Sequence, residues 1–190
     1  SFGWELLDIV LWEHPEPPLH DVAVVDVGAP EKAFVTENVT VCVDVVNKGQ
    51  SDENINVTLY YRTIGESEWK VFDSKQITLK SRKWGTLDFN CSTAAMAAGN
   101  YDVNATATIA DDLDKPNNNL TLTSKNKDLR LDIQNVAVVN VTAFPPIVAS
   151  GQSVDINATV ENQGTANVSA LPVFAHYDGN LISDTWCEYM

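Results

Sequence analysis

Eight Asn-X-Ser/Thr triplets, headed by Asn38, Asn56, Asn90, Asn104, Asn119, Asn140, Asn157 and Asn167, are the chemically loaded feature of this 190-residue chain. None has Pro in the middle, and random placement of the same residues would give roughly two. The carboxamide of such an Asn accepts a glycan wherever a secretory glycosylation machinery meets it. Most of these triplets have an apolar middle residue and alternating flanks, as in VTENVTVCVDV, ENINVTLYY, YDVNATATI and VDINATV. Alternation at period two predicts strands. It also predicts that each Asn shares the solvent face with the hydroxyl residue two positions on, while the apolar neighbours point into a core. All eight Asn are therefore expected as glycan acceptors on the wet side of a sheet.

Other chemistries are thinner. Asp111, Asp112, Asp114 and Asn117, followed by Asn118 and Asn119, gather hard oxygen donors that would suit calcium. They do not spell an EF-hand, because the sixth loop position is not Gly and the twelfth is Leu122 or Thr123 rather than Glu. Residues of these types also favour turns on their own account. The three cysteines, Cys42, Cys91 and Cys187, have no metal or redox spacing, which leaves disulfides as their use in an oxidising compartment. Cys42 falls on the outward phase of its strand with Thr40 and Asp44, and Cys91 on the inward phase with Leu87 and Phe89, so an in-core bridge between them is disfavoured. Cys187 is a candidate for a bond to another subunit. With only His14, His20 and His176, and no nucleophile elbow, glycine-rich phosphate loop or HExxH, the chain is expected not to be an enzyme. Trp69, Trp84, Tyr60 and Tyr61 would make a sugar-stacking face if they lay outside. A sandwich core is the expected place for them.

The elements that position these groups must come from an acidic chain. Twelve basic residues against 26 acidic give a net charge of −14, which repels nucleic-acid backbones and anionic lipid. No apolar run reaches the length of a membrane span, and no signal peptide is recognisable. A start at Ser1 without Met is what a processed secreted protein or an excised fragment looks like.

Comparing the chain with itself reveals an internal repeat: DVAVVDV (Asp21–Val27) recurs as NVAVVNV (Asn135–Val141). ENVTVCVDVVNKG aligns with GQSVDINATVENQG through a shared Asn-x-Gly turn, and NVT at Asn56 aligns with NVS at Asn167. The first copy reads as seven or eight strands, near Val22–Val27, Val39–Val46, Ile55–Thr63, Trp69–Phe72, Lys75–Leu79, Thr86–Cys91, Tyr101–Ile109 and Leu120–Ile133. Turns such as NKGQSDEN and DDLDKPNNN separate them, and Thr93–Ala98 alone suggests a helical turn. The expected fold is all-β: an immunoglobulin-like sandwich over residues 21–133, followed over 134–190 by a second module with room for only three or four strands. Half a sandwich leaves apolar surface and strand edges that something must cover. Residues 1–20 end in a Pro-rich linker and begin with an apolar stretch in which Phe2, Trp4, Leu6, Ile9, Leu11 and Trp12 are candidate subunit contacts. That stretch packs on its own chain, adds as a strand to the incomplete module of another copy, or belongs to a chain cut from a longer multi-module protein. The second arrangement is heterologous and builds rings or head-to-tail filaments.

The openings PPLHDVAVVDV and VTVCVDVVNKGQSDENINVTLYY, with the later AAGNYDVNATATIADDLDKPNNN, resemble the CARDB domain, a cell-adhesion-related immunoglobulin-like module of prokaryotic surface proteins. The resemblance covers Asp21–Ile133 well and Asn135–Gly179 in part; SDTWCEYM departs from it. It implies a non-catalytic, extracellular, often tandem module and names no ligand, and the dense sequons suggest an archaeal surface. The expected function is that of a non-enzymatic structural or adhesion glycoprotein, a subunit of a filament or envelope layer joined to copies of itself or to other surface proteins. The alternative is a carbohydrate- or peptide-binding accessory module of a larger surface protein. No cofactor is expected beyond calcium at the acidic turn, and nucleic-acid partners are not expected.

Overall fold

The computed structural model describes residues 16–122 and 128–187. Phe2, Trp4, Leu6, Ile9, Leu11 and Trp12 thus lie outside the described residues. Strands dominate what is described, and its helical element is a single 3-10 turn at Lys115–Asn118.

The first module contains β1 (Val22–Gly28), β2 (Lys32–Phe34), β3 (Asn38–Asn47), β4 (Glu53–Thr63), β5 (Lys70–Leu79), β6 (Trp84–Ser92), β7 (Gly99–Thr108), β8 (Asn119–Thr121) and β9 (Leu129–Asp132). One sheet runs β1-β3-β6 and the other β2-β9-β7-β4-β5, with β8 pairing β7 beyond the end of β9. Alternation decides which side chains meet between the sheets. Val39, Val41, Val43 and Val45 of β3 share one core with Ile55, Val57 and Leu59 of β4 and Val103, Ala105 and Ala107 of β7, all buried, and Phe89, Leu129 and Leu131 are buried in the same core. Burying side chains of this size stabilises by about 1.5–3 kcal/mol each.

Three details differ from the sequence expectation. Trp69–Phe72 and Lys75–Leu79 merge into one strand, β5, because a bulge opposite Leu59/Tyr60 absorbs the break in alternation. The segment expected as one strand over Leu120–Ile133 is two short strands, β8 and β9, laid end to end along the same edge of β7. Thr93–Ala98 forms no helix. Thr93 is buried and its hydroxyl donates to the Glu37 carbonyl at 2.7 Å and the Phe34 carbonyl at 3.2 Å, so the turn is tied to the loop after β2 instead.

The second module contains β10 (Val136–Phe144), β11 (Asp155–Asn162), β12 (Leu171–Tyr177) and β13 (Asn180–Cys187), paired β10-β11 and β12-β13. The repeat is structural as well as sequential. β1-β3 carries a register shift between Val24 and Asp26, and β10-β11 carries one between Val138 and Asn140. After β3 the amides of Lys48 and Gly49 donate to the Asp21 carbonyl at 2.8 and 3.1 Å, and after β11 those of Gln163 and Gly164 donate to the Asn135 carbonyl at 2.8 and 3.0 Å. Gly is required at both turns. A Cβ on Gly49 would lie 2.7 Å from the Leu19 carbonyl oxygen, and one on Gly164 would collide with the Ile133 carbonyl oxygen. One alignment needs correcting: Asn56 lies within β4, whereas Asn167 lies in the loop before β12. Matching the bulges at Leu59/Tyr60 and Ala175/His176 puts Pro172, not Asn167, in the place of Asn56.

Candidate functional site

The strand geometry distributes the sequons unevenly. Asn38, Asn90, Asn119, Asn140, Asn157 and Asn167 are exposed. Asn56 is half-buried, and its Oδ1 accepts from the Ser74 hydroxyl at 3.1 Å. Asn104 departs from the expected wet face: it holds the outward phase of β7, yet only 6% of it is accessible. The cause is β8, whose docking on β7 sets Asn104 opposite Thr121 and Thr106 opposite Asn119. Asn104 Nδ2 donates to Asn119 Oδ1 at 2.6 Å and to Thr121 Oγ1 at 3.0 Å. Period-two patterning assigns a face correctly but does not reveal a short neighbouring strand whose polar side chains lie over that face.

The same four residues form one wall of a cleft of about 380 Å³ whose other wall is Tyr60 and Trp69. The aromatic residues therefore need redistributing. Trp84 is 69% exposed and lies outside the core, Trp69 and Tyr60 are half-buried beside the cleft, and of the four only Tyr61 packs against the core, with its ring 4.2 Å from that of Phe72. Trp69 is positioned by charge. The Arg62 guanidinium sits 4.4 Å from its ring centroid and is itself held by Asp102 at 2.8 Å. On the core side Tyr101 donates its hydroxyl to the Ala97 carbonyl at 2.8 Å, an arrangement that resembles the tyrosine corner of immunoglobulin-like folds. Burial, more than any neighbour, raises the Tyr101 phenol above its ordinary pKa.

The acidic turn is organised by hydrogen bonds. Asp112 is buried and its two oxygens accept from the Val22 amide at 3.0 Å and the Asp114 amide at 2.9 Å. Asn117 Nδ2 donates to Asp21 Oδ1 at 3.0 Å and to Asp114 Oδ2 at 2.6 Å, while Asp111 is exposed in a left-handed conformation. Asn117 Oδ1 and Asn118 Oδ1 are buried without a hydrogen-bond partner. Calcium needs six to eight oxygens converging on one point. Here an amide NH2 stands between the carboxylates, and among the described residues no three His, Cys, Asp or Glu side chains are grouped to hold a metal ion. In this arrangement the carboxylates are held by hydrogen bonds. The arrangement fits a clasp that ties β1 to the turn after β7.

Cys42 and Cys91 are free thiols on opposite faces of adjacent strands, Cys42 exposed opposite Asp88 and Cys91 buried opposite Val39. A hydrogen bond to Asp88, then partial burial, raises the Cys42 thiol, and burial pushes Cys91 up to about 11. Both are protonated at neutral pH and poorly nucleophilic. Cys187 ends β13, and its side chain lies outside the described residues.

In the second module the two strand pairs flank an open cleft of about 630 Å³ lined by Ala158, Val160, Val173, Ala175 and Ile182 among others. Val138, Val141, Phe144, Ile156 and Phe174 are exposed.

No protein-family model and no curated protein matches the chain. Comparison with solved structures does find likenesses. The structure is similar to a CARDB domain. That domain, from a Pyrococcus furiosus protein and solved in complex with di-metal ions, is 22% identical and covers 60% of this chain and 94% of its own, at a TM-score of 0.47. A solution structure of the same domain is 20% identical at a TM-score of 0.46, again over 60% of this chain and 96% of its own. A β-glucosidase from Listeria innocua matches over 58% of this chain and 16% of its own, at 13% identity and a TM-score of 0.43.

Proposed function

We propose that the chain is a non-enzymatic, extracellular glycoprotein module that builds or adheres at a cell surface, and that it associates with further copies of itself through β-strand complementation. One observation carries the reading. The second module repeats the strand pairs of the first, including bulge and turn, yet the faces that are dry in the first module are bare in the second. Exposed apolar strands with open backbone edges bind further strands. The apolar residues Phe2, Trp4, Leu6, Ile9, Leu11 and Trp12 are of the right type to supply one from a neighbouring copy. Exposed sequons at Asn38, Asn90, Asn140, Asn157 and Asn167 and a net charge of −14 would keep the rest of the surface soluble, and an archaeal envelope is the setting such sequon density suits.

The test is size-exclusion chromatography and negative-stain microscopy of the native protein, with and without residues 1–12. Polymers that disappear on deletion are expected. Polymers indifferent to the deletion defeat strand donation by residues 1–12. A discrete monomer that binds carbohydrate or peptide supports instead an accessory module of a larger surface protein, for which the Trp69 cleft is the candidate site.

A further inference from the structure

Strands β7 and β8 bring two sequons together, and their geometry separates the two asparagines. We infer that this pair carries a single sugar chain, on Asn119, and that its first sugar ring seats in the cleft against Trp69 and Tyr60. The inference rests on the glycoprotein reading and deepens it.

Transfer of a sugar to Asn forms a bond from Nδ2 to the anomeric carbon of a lipid-phosphate-linked glycosyl donor. The anomeric C–O bond breaks with its electron pair leaving on the phosphate oxygen, and Nδ2 gives up one of its two protons, which ends on that departing phosphate. At Asn104 both protons are in use, toward Asn119 Oδ1 at 2.6 Å and Thr121 Oγ1 at 3.0 Å, and the residue is buried. A sugar there would break one of those bonds and displace β8 from β7. Whether transfer precedes or follows folding, a molecule with β8 docked has a bare Asn104. Asn119 is the opposite case. Its engaged atom is Oδ1, which a glycosylated carboxamide retains, and its exposed Nδ2 reaches only Thr106 Oγ1, at 3.4 Å. A sugar on Asn119 leaves the Asn104 hydrogen bonds in place.

The cleft suits what Asn119 would carry. Its lining is two aromatic rings and four neutral polar side chains, Tyr60, Trp69, Asn104, Thr106, Asn119 and Thr121, in a chain whose net charge is −14. A neutral sugar ring has apolar C–H faces that pack on an aromatic ring and hydroxyls that pair with carboxamides and hydroxyls, without desolvating a charge. At about 380 Å³ the space falls in the range of small-molecule sites. Arg62, held by Asp102, fixes the Trp69 ring beforehand, so little side-chain freedom is lost when a sugar seats on it.

Site-resolved mass spectrometry of native glycopeptides, combined with nuclear Overhauser contacts on the intact glycoprotein, tests both halves. Occupancy at Asn104 is expected about tenfold or more below that at Asn119, the scale set by breaking a buried hydrogen bond. Contacts between the Trp69 indole and the Asn119-linked sugar are expected, and Trp69→Ala should abolish them while leaving Asn119 occupied. Asn104 as fully occupied as Asn38, Asn119 bare beside an occupied Asn38, or an Asn119 sugar with no indole contact would each overturn the inference alone. A protein without sugar at any sequon would remove the glycoprotein reading, and this inference with it.

Discussion

The strand pairs β1-β3 and β10-β11 are one design in two environments. Both have an Ala-Val-Val core sequence, a register shift three residues into the first strand, and an Asn-x-Gly turn. In each, the Asn side chain accepts from the Gly amide two residues on, at 2.9 Å for Asn47 and 3.1 Å for Asn162, and donates to a carbonyl four residues on, at 2.7 and 2.9 Å. What differs is cover. Val24 and Val41 are buried, while the residues at the same places in the repeat, Val138 and Ile156, are exposed, because β6 and β7 have no counterparts beside β11 and β12 among the described residues. The turn and bulge are therefore specified locally, by hydrogen bonds the segment makes with itself. Dryness comes from strands more distant in sequence.

The sharpest way to break that comparison is to remove the same kind of side chain from each module. Phe89 is fully buried between the sheets, so Phe89→Ala should destabilise the first module by about 3–5 kcal/mol. Phe174 is 56% exposed, and Phe174→Ala should change stability by no more than about 0.5 kcal/mol. Urea unfolding of each variant against the parent reads both numbers. If the second substitution costs as much as the first, the second module is covered in solution. Repeating the measurement on the assembled protein then reports whether assembly supplies the cover.

A smaller effect tests the turns. Asn47 is fully buried and also donates to the Leu79 carbonyl at 3.2 Å, so Asn47→Ala strands several backbone groups and should cost about 1–3 kcal/mol. Asn162 is half-buried, and Asn162→Ala should cost less, because water reaches the groups it leaves behind. Equal losses in denaturant titrations would mean that the turn acts independently of the core around it.

Much of the fold is legible in the residues themselves. Alternation in VTVCVDVV and VNATATI marks the strands and the inward faces, and the repeat is visible in DVAVVDV and NVAVVNV because the turns that close those pairs depend on local Asn and Gly chemistry. The parallel pairing of β2 with β9 is not visible, since strands of three and four residues have too few alternating positions to register. Nor is the cleft. Its two walls come from Tyr60 and Trp69 on one side and Asn104 to Thr121 on the other, and what brings them together is the register of β4, β7 and β8, which no local pattern encodes. In the acidic turn, composition alone does not tell how the oxygens are used. The carboxylates of Asp21, Asp112 and Asp114 accept from the amides of Val22, Asp114 and Asn117, while Asn117 Oδ1 and Asn118 Oδ1 are buried without a partner.

The smallest effect is kinetic and sets two cysteines of the same module against each other. Thiolate is the species that alkylates, and both thiols are shifted upward, so iodoacetamide should label each more slowly at pH 8 than it labels the unfolded chain. The ranking separates accessibility from acidity. Exposed Cys42 should react as pH rises, because only its ionisation, opposed by the Asp88 hydrogen bond, stands in the way. Buried Cys91, raised to about 11, should stay unlabelled until the module opens, so its labelling rate should track unfolding rather than pH. The linkage has a definite sign: the folded module holds the Cys91 proton more tightly than the unfolded chain, whose thiol titrates near 9.0, so this contribution to stability is present below pH 9 and is lost as pH rises toward 11. Cys91→Ala should flatten that alkaline decline while leaving the labelling of Cys42 unchanged. If Cys91 instead labels at the rate of Cys42, the first module is as open as the second, and the contrast between them disappears.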